Sequence, residues 1–135
     1  MKTTLRERRS FIALAGRQGS CSYNEHNKAR FHRLGNRILQ DLAELFGLQP
    51  NQFDLRSNMA GIAVSGEVTL HSDGLYIQFS QSCVRGLEIL YRSCKHRKDY
   101  TGGPNCWLPW SALEDLTVTA KQLALTIRQS KPAAN

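Results

Sequence analysis

The stretch Gly66-Glu-Val-Thr-Leu-His-Ser-Asp-Gly-Leu-Tyr-Ile-Gln-Phe-Ser80 constrains the fold more than any other, because Val68 and Leu70, then Leu75, Ile77 and Phe79, alternate with polar residues. A two-residue period sends successive side chains to opposite faces of a strand, so each half reads as a half-buried strand. Ser72-Asp73-Gly74 supplies the turn between them: glycine reaches positive φ without a Cβ clash, and aspartate tolerates the left-handed region. A β-hairpin is expected here, with the remaining elements packed against it.

The flanking sequence extends this sheet. Phe53 to Asn58 and Gly61 to Val64 read as strands leading into the hairpin, with Gly66 as a bulge. Leu87 to Cys94 reads as a further strand, with Leu87, Ile89 and Tyr91 on one face and Glu88, Leu90, Arg92 and Cys94 on the other. A long helix is signalled by Phe31, Leu34, Ile38, Leu42 and Leu45 at three- and four-residue spacing, by Ser22 and Glu25 at capping-box spacing, and by Gly47 and Pro50 as a stop. Gly35, inside that helix, marks a bend or a close backbone contact. Leu113, Leu116, Ala120, Leu123 and Ile127 give a second helical stripe, started by Ser111 and Glu114. The prediction is an α+β fold, an antiparallel three- to four-stranded β-meander packed by two main α-helices over residues 23 to 46 and 111 to 129. Thr4 to Ala15 reads as a short helix with Leu5, Phe11, Ile12 and Leu14 on its apolar side and Arg6, Arg8 and Arg9 exposed. With Gly16-Arg-Gln-Gly-Ser20 as a flexible link, residues 1–20 are alternatively read as a mobile basic arm.

At 135 residues the chain has the length of a single domain, 1–135, whose core needs neither disulfides nor metal. No apolar run approaches the roughly 20 residues of a membrane span, and the apolar stretch after the basic first residues is too short for a secretory signal. A soluble, cytoplasmic protein is the expectation, with Cys21, Cys83, Cys94 and Cys106 as free thiols and residues 130–135 as a frayed tail. The net charge of +7 is unevenly placed: residues 1–37 carry +7, residues 38–84 carry −4 and residues 85–135 carry +4. Basic ends around an acidic middle favour a polyanionic partner.

Two features concentrate that charge. On the long helix Arg30, Arg33 and Arg37 recur at helical spacing as one ridge, flanked by Lys28 and His32, with Asp41 and Glu44 towards the C-terminal end. This order opposes the helix dipole, so local stability does not account for it. In the segment Cys94 to Trp110, read as a loop because Gly102, Gly103 and Pro104 oppose regular structure, Lys95, Arg97, Lys98 and Tyr100 form a basic, aromatic-bearing tip, with Trp107 and Trp110 expected in the core. The nucleic-acid or partner-binding residues expected are therefore Lys28, Arg30, Arg33, Arg37, Lys95, Arg97, Lys98 and Tyr100.

Other chemistry is less well supported. A zinc site from Cys94, His96 and Cys106, with Cys21 and His26, lacks any Cys-x-x-Cys spacing. A nuclease built from Glu67, His71 and Asp73, with His96 and Lys98, has no nucleophile beside a base in sequence, and no phosphate loop or dinucleotide fingerprint accompanies it. No enzyme, metal or cofactor is expected.

The run Ser65-Gly-Glu-Val-Thr-Leu-His-Ser-Asp-Gly-Leu-Tyr-Ile-Gln-Phe79, with Arg92-Ser-Cys94, Arg97-Lys-Asp-Tyr-Thr-Gly-Gly103, Asn105 and Trp107, resembles small uncharacterised proteins of proteobacterial phages, plasmids and integrative elements. The likeness covers roughly the second half of the chain, outside the basic N-terminal third. It implies a context in which proteins bind DNA, regulate transfer or block host defences such as CRISPR effectors and restriction enzymes. The expected partner is DNA or RNA. The alternative is an anti-CRISPR-like inhibitor that meets a host nucleoprotein defence complex by protein contact. A second copy covering a sheet edge would make a homodimer.

Overall fold

The computed structural model describes residues 2–16, 25–59, 66–81, 86–99 and 102–130. In chain order these form α1 (Leu5–Ala15), α2 (Glu25–Leu45), a 3-10 turn (Pro50–Gln52), β1 (Phe53–Asn58), β2 (Glu67–Ser72), β3 (Leu75–Ser80), β4 (Ile89–Ser93), β5 (Cys106–Leu108), a 3-10 helix (Trp110–Glu114) and α3 (Leu116–Ser130). Ser22, Cys21, Cys83, Tyr100, the strand expected over Gly61–Val64, most of the link 16–20 and tail residues 131–135 lie outside the described residues.

The strands make one antiparallel meander in the order β1-β2-β3-β4-β5, so the chain has an α+β fold. The hairpin is in register from Glu67 opposite Ser80 to His71 opposite Tyr76, and Asp73 and Gly74 turn it with Gly74 at φ 121°. The β1–β2 register runs unbroken from Phe53–Ser72 to Asn58–Glu67. Gly66 is therefore not a bulge. It sits just before β2 at φ 75°, and a Cβ there would lie 2.0 Å from the Asn58 carbonyl oxygen.

The edge strand β5 falls where a loop was expected. Only three residues long, it pairs Ile89 with Leu108, Leu90 with Trp107 and Tyr91 with Cys106, too short to show a period after Pro104 and before Pro109. Pairing against β4 makes it a strand, and it splits the two tryptophans. Trp107 points to the outer face, 39% exposed, while Trp110 is buried in the core.

One sheet face is covered by helices. Val68, Leu70, Leu75, Ile77, Phe79, Ile89, Tyr91 and Leu108 join Phe31, Leu34, Ile38 and Leu42 of α2 and Leu116 and Leu123 of α3 in a single cluster. Gly35 is the close contact expected of it, since a Cβ would come within 3.2 Å of both Phe11 on α1 and Val68 on β2. The helix expected from Ser111 begins later: residues 110–114 wind as a 3-10 helix, and Asp115 Oδ1 accepts the Val118 amide at 3.2 Å at the start of α3.

The first helix departs furthest from expectation. Thr4 caps α1 in a reciprocal box with Glu7, and Phe11 is fully buried. The Phe11 ring lies 5.0 Å from Phe31, 5.4 Å from Phe79 and 5.6 Å from Trp110. Arg8, expected outside, is buried, and its guanidinium donates to the Leu113 and Thr3 carbonyl oxygens at 2.8 Å each. Leu5, expected inside, is 39% exposed. Residues 5–15 are thus a helix packed into the core. They run antiparallel to α2: Thr3 binds Asp41, Glu7 binds Arg37, and Phe11 stacks on Phe31.

Candidate functional site

The ridge of α2 and the outer side of α1 lie on this antiparallel pair. Among the described residues, Arg6, Arg30 and Arg33 make no hydrogen bond or ion pair, and Arg6 and Arg33 are exposed. Lys28 is half-buried. Arg37 is bound: its guanidinium pairs with Glu7 and donates to the Lys2 carbonyl at 3.2 Å. The hydrogen bonds from Arg37 and the Thr4 amide hold the Glu7 carboxyl below its ordinary value, against a small opposing effect of burial. Arg37 therefore joins the two helices, and its neighbours carry the outward charge. Arg9 adds a cation 64% exposed, 3.4 Å from Glu114. Arg30 and Arg33, one turn apart at about 1.5 Å per residue, and Arg6 at the level of the Glu7–Arg37 pair give charge along both helices.

Asp41, expected as an acidic counterweight on the surface, is buried. It accepts the Lys2 and Thr3 amides at 3.0 and 2.9 Å and the Thr3 hydroxyl. Burial alone would raise its carboxyl; the three hydrogen bonds outweigh it and leave the group below its ordinary 3.8. The strongest local anion is thus withdrawn to anchor the segment before α1.

The loop tip is a different place. Asp99 accepts the Lys95 amide at 2.9 Å and the Gly102 amide at 3.1 Å, and His96 Nδ1 accepts the Lys98 amide at 3.2 Å. Arg97 is committed to the fold: its amide binds Asp73 at 3.0 Å, its guanidinium donates to the Asn51 carbonyl and lies 3.8 Å from Asp54. Lys95 and Lys98 remain exposed. These ties hold the loop at the start of β1, whereas His32 Nδ1 meets Ser57 Oγ at 2.6 Å near its end. Three residues of strand, about 10 Å, separate Asp54 from Ser57. The structure therefore does not bring the ridge's N-terminal half and the loop together.

The residues weighed for a nuclease are also dispersed. Glu67 and His71 share the outer face but stand four residues apart along β2, about 13 Å, and Asp73 serves the Arg97 amide at the turn. Among the described residues no group of three or more metal-ligating side chains converges. Cys94 and Cys106 are free thiols; Cys94 is buried, which pushes its thiol pKa up, and donates to the Ser72 carbonyl at 3.1 Å.

Sequence reasoning missed a groove on that outer face. Arg56 and Asn58 of β1, Glu67, Thr69 and His71 of β2 and Tyr76 of β3 line about 430 Å³. Their two-residue spacing on paired strands was the signal, but it needed the β1–β2 register to be read. His71 is buried, edge-on to Tyr76 at 5.2 Å, and the Arg92 guanidinium lies 4.3 Å from the Tyr76 ring centroid. Burial, aided by the charge of Arg92 and opposed by a hydrogen bond with the Asp99 backbone, lowers the His71 pKa from its ordinary value and so favours the neutral ring. Comparison of the chain with protein-family models, curated proteins and solved structures found no match.

Proposed function

We propose that this chain is a non-enzymatic nucleic-acid-binding protein that holds phosphates through the outer faces of α1 and α2. The observation that carries the reading is the set of arginines that no described residue engages. Arg8 and Arg37 are consumed by the fold, whereas Arg6, Arg30 and Arg33 have no hydrogen bond or ion pair among the described residues. Guanidinium groups in that state suit phosphate oxygens, which they bind in bidentate fashion. The accessory role implied by the resemblance to mobile-element proteins accords with this chemistry, and Lys28 and Arg9 extend the surface.

The test is fluorescence anisotropy of labelled duplex and single-stranded DNA against purified protein. Affinity is expected to fall about tenfold or more between roughly 50 and 200 mM salt, as for a few neutralised phosphates. Arg30→Glu with Arg33→Glu is expected to weaken binding by a further tenfold or more with an unchanged melting temperature. Salt-insensitive binding, or binding indifferent to the double reversal, would overturn the reading. Inhibition of a defence complex that survives the reversal would direct attention to a protein partner.

A further inference from the structure

The outer-face groove has the size of a small-ligand site, and its walls differ in chemistry. Its floor is built: Thr69, His71 and Tyr76 are buried, Tyr76 is held by Arg92, and its hydroxyl donates to Gln78 at 2.9 Å. No described helix packs on this face. One wall carries Arg56; the other carries Glu67, half-buried, whose carboxylate has no hydrogen bond or ion pair among the described residues. Arg56 faces Thr69 across the strands and Asn58 faces Glu67, so Arg56 and Glu67 stand diagonally, about 7–8 Å apart at the backbone. A suitable ligand offers an anion to Arg56 and paired N–H donors to Glu67.

A nucleotide has both. Guanine is the standard base with adjacent ring and amino N–H donors on its Watson–Crick edge, which a carboxylate accepts as a pair, while its phosphate suits a guanidinium. The position is also apt. Ser57, next to Arg56 on the edge strand β1, points to the opposite face and is bonded through its hydroxyl to His32 of α2, one turn from Lys28 and next to Arg33, so a strand leaving the groove reaches the basic half of that helix around the β1 edge.

We propose that the groove receives one unpaired guanine nucleotide, its base edge on Glu67 and Asn58 and its phosphate on Arg56, from a single strand whose backbone continues onto Lys28, Arg30 and Arg33. The inference rests on the nucleic-acid reading above and adds to it a preference for single strands, because a duplex has its Watson–Crick edges occupied.

The experiment compares wild type, Glu67→Gln and Arg56→Gln by anisotropy on a guanine-containing single strand, a thymine-only single strand and a duplex, with GMP followed by NMR. The guanine strand is expected to bind at least tenfold tighter than the duplex and fivefold tighter than the thymine strand. Glu67→Gln is expected to erase the guanine preference while leaving duplex affinity unchanged; it alters one partly exposed atom, and an unchanged melting temperature confirms the fold. Arg56→Gln is expected to weaken both single strands alike. Equal affinity for all three probes, or a guanine preference intact in Glu67→Gln, overturns the groove proposal and leaves the phosphate ridge standing. GMP shifts at the groove residues without binding of any strand would identify free nucleotide as the source and overturn the nucleic-acid reading instead.

Discussion

At the scale of single residues, Asp41 shows how a group read as surface charge becomes a structural anchor. Its oxygens satisfy two amides and a hydroxyl from residues 38 and 39 positions earlier in the chain, and hydrogen bonds to a charged acceptor contribute about 1.5–3 kcal/mol each. Asp41→Asn, which turns one acceptor into a donor facing these groups, is expected to cost about 2–4 kcal/mol by urea denaturation. The pH dependence follows from the lowered carboxyl. Because the folded state holds this proton more weakly than the unfolded chain, the Asp41 contribution is present above about pH 4 and is lost as pH falls through the folded value. Asp41→Asn should flatten that acid limb; an unchanged limb would mean that other carboxylates set it. Arg8 teaches the same lesson with opposite charge. Neither burial was legible, since helical spacing reports which side of a helix faces inward only to within a residue, and the partners of each group, Lys2 and Thr3 for Asp41 and Leu113 and Thr3 for Arg8, come together only in the fold.

At the scale of elements, the question is whether α1 belongs to the core. Phe11 touches three aromatic rings from α2, β3 and the 3-10 helix, so Phe11→Ala is expected to cost about 3–5 kcal/mol. Leu5→Ala, on the exposed side of the same helix, should cost under about 1 kcal/mol. Similar small losses for both would show a detachable helix. The hairpin, α2 and the apolar stripe of α3 were legible because their periods run over six residues or more. Asp73-Gly74 and the stop after α2 were legible because glycine and proline have few backbone alternatives. The strand β5 was not, because three residues carry no period and β4 supplies its partner. The start of α3 was misplaced because Ser111 and Glu114 imitate a capping box while Asp115 takes the capping role. The groove was hidden for a related reason: Glu67 and His71 were placed on one face by alternation, but Arg56 and Asn58 joined them only through pairing between strands.

At the scale of the whole molecule, the sheet separates the two basic regions that sequence alone placed in one interface. The loop of Lys95 and Lys98 is tied to Asp73 and Asp54 at the hairpin end, while Arg30 and Arg33 flank His32, which meets Ser57 about 10 Å further along β1, a separation of about one screening length at 0.1 M salt. Lys95→Glu with Lys98→Glu is therefore expected to change nucleic-acid affinity by less than about threefold, read by the same anisotropy titration. A tenfold loss would mean that the bound strand spans the full length of the sheet. No described helix is long and apolar enough to cross a membrane. The cluster that unites Phe11 with Trp110 also has a consequence for synthesis. A ribosome adding about 5–20 residues per second needs roughly 5–20 s to travel between these two positions. Throughout that interval the nascent first helix holds its largest apolar side chain without the indole that completes its seat, so final closure of the core waits until residue 110 has been made.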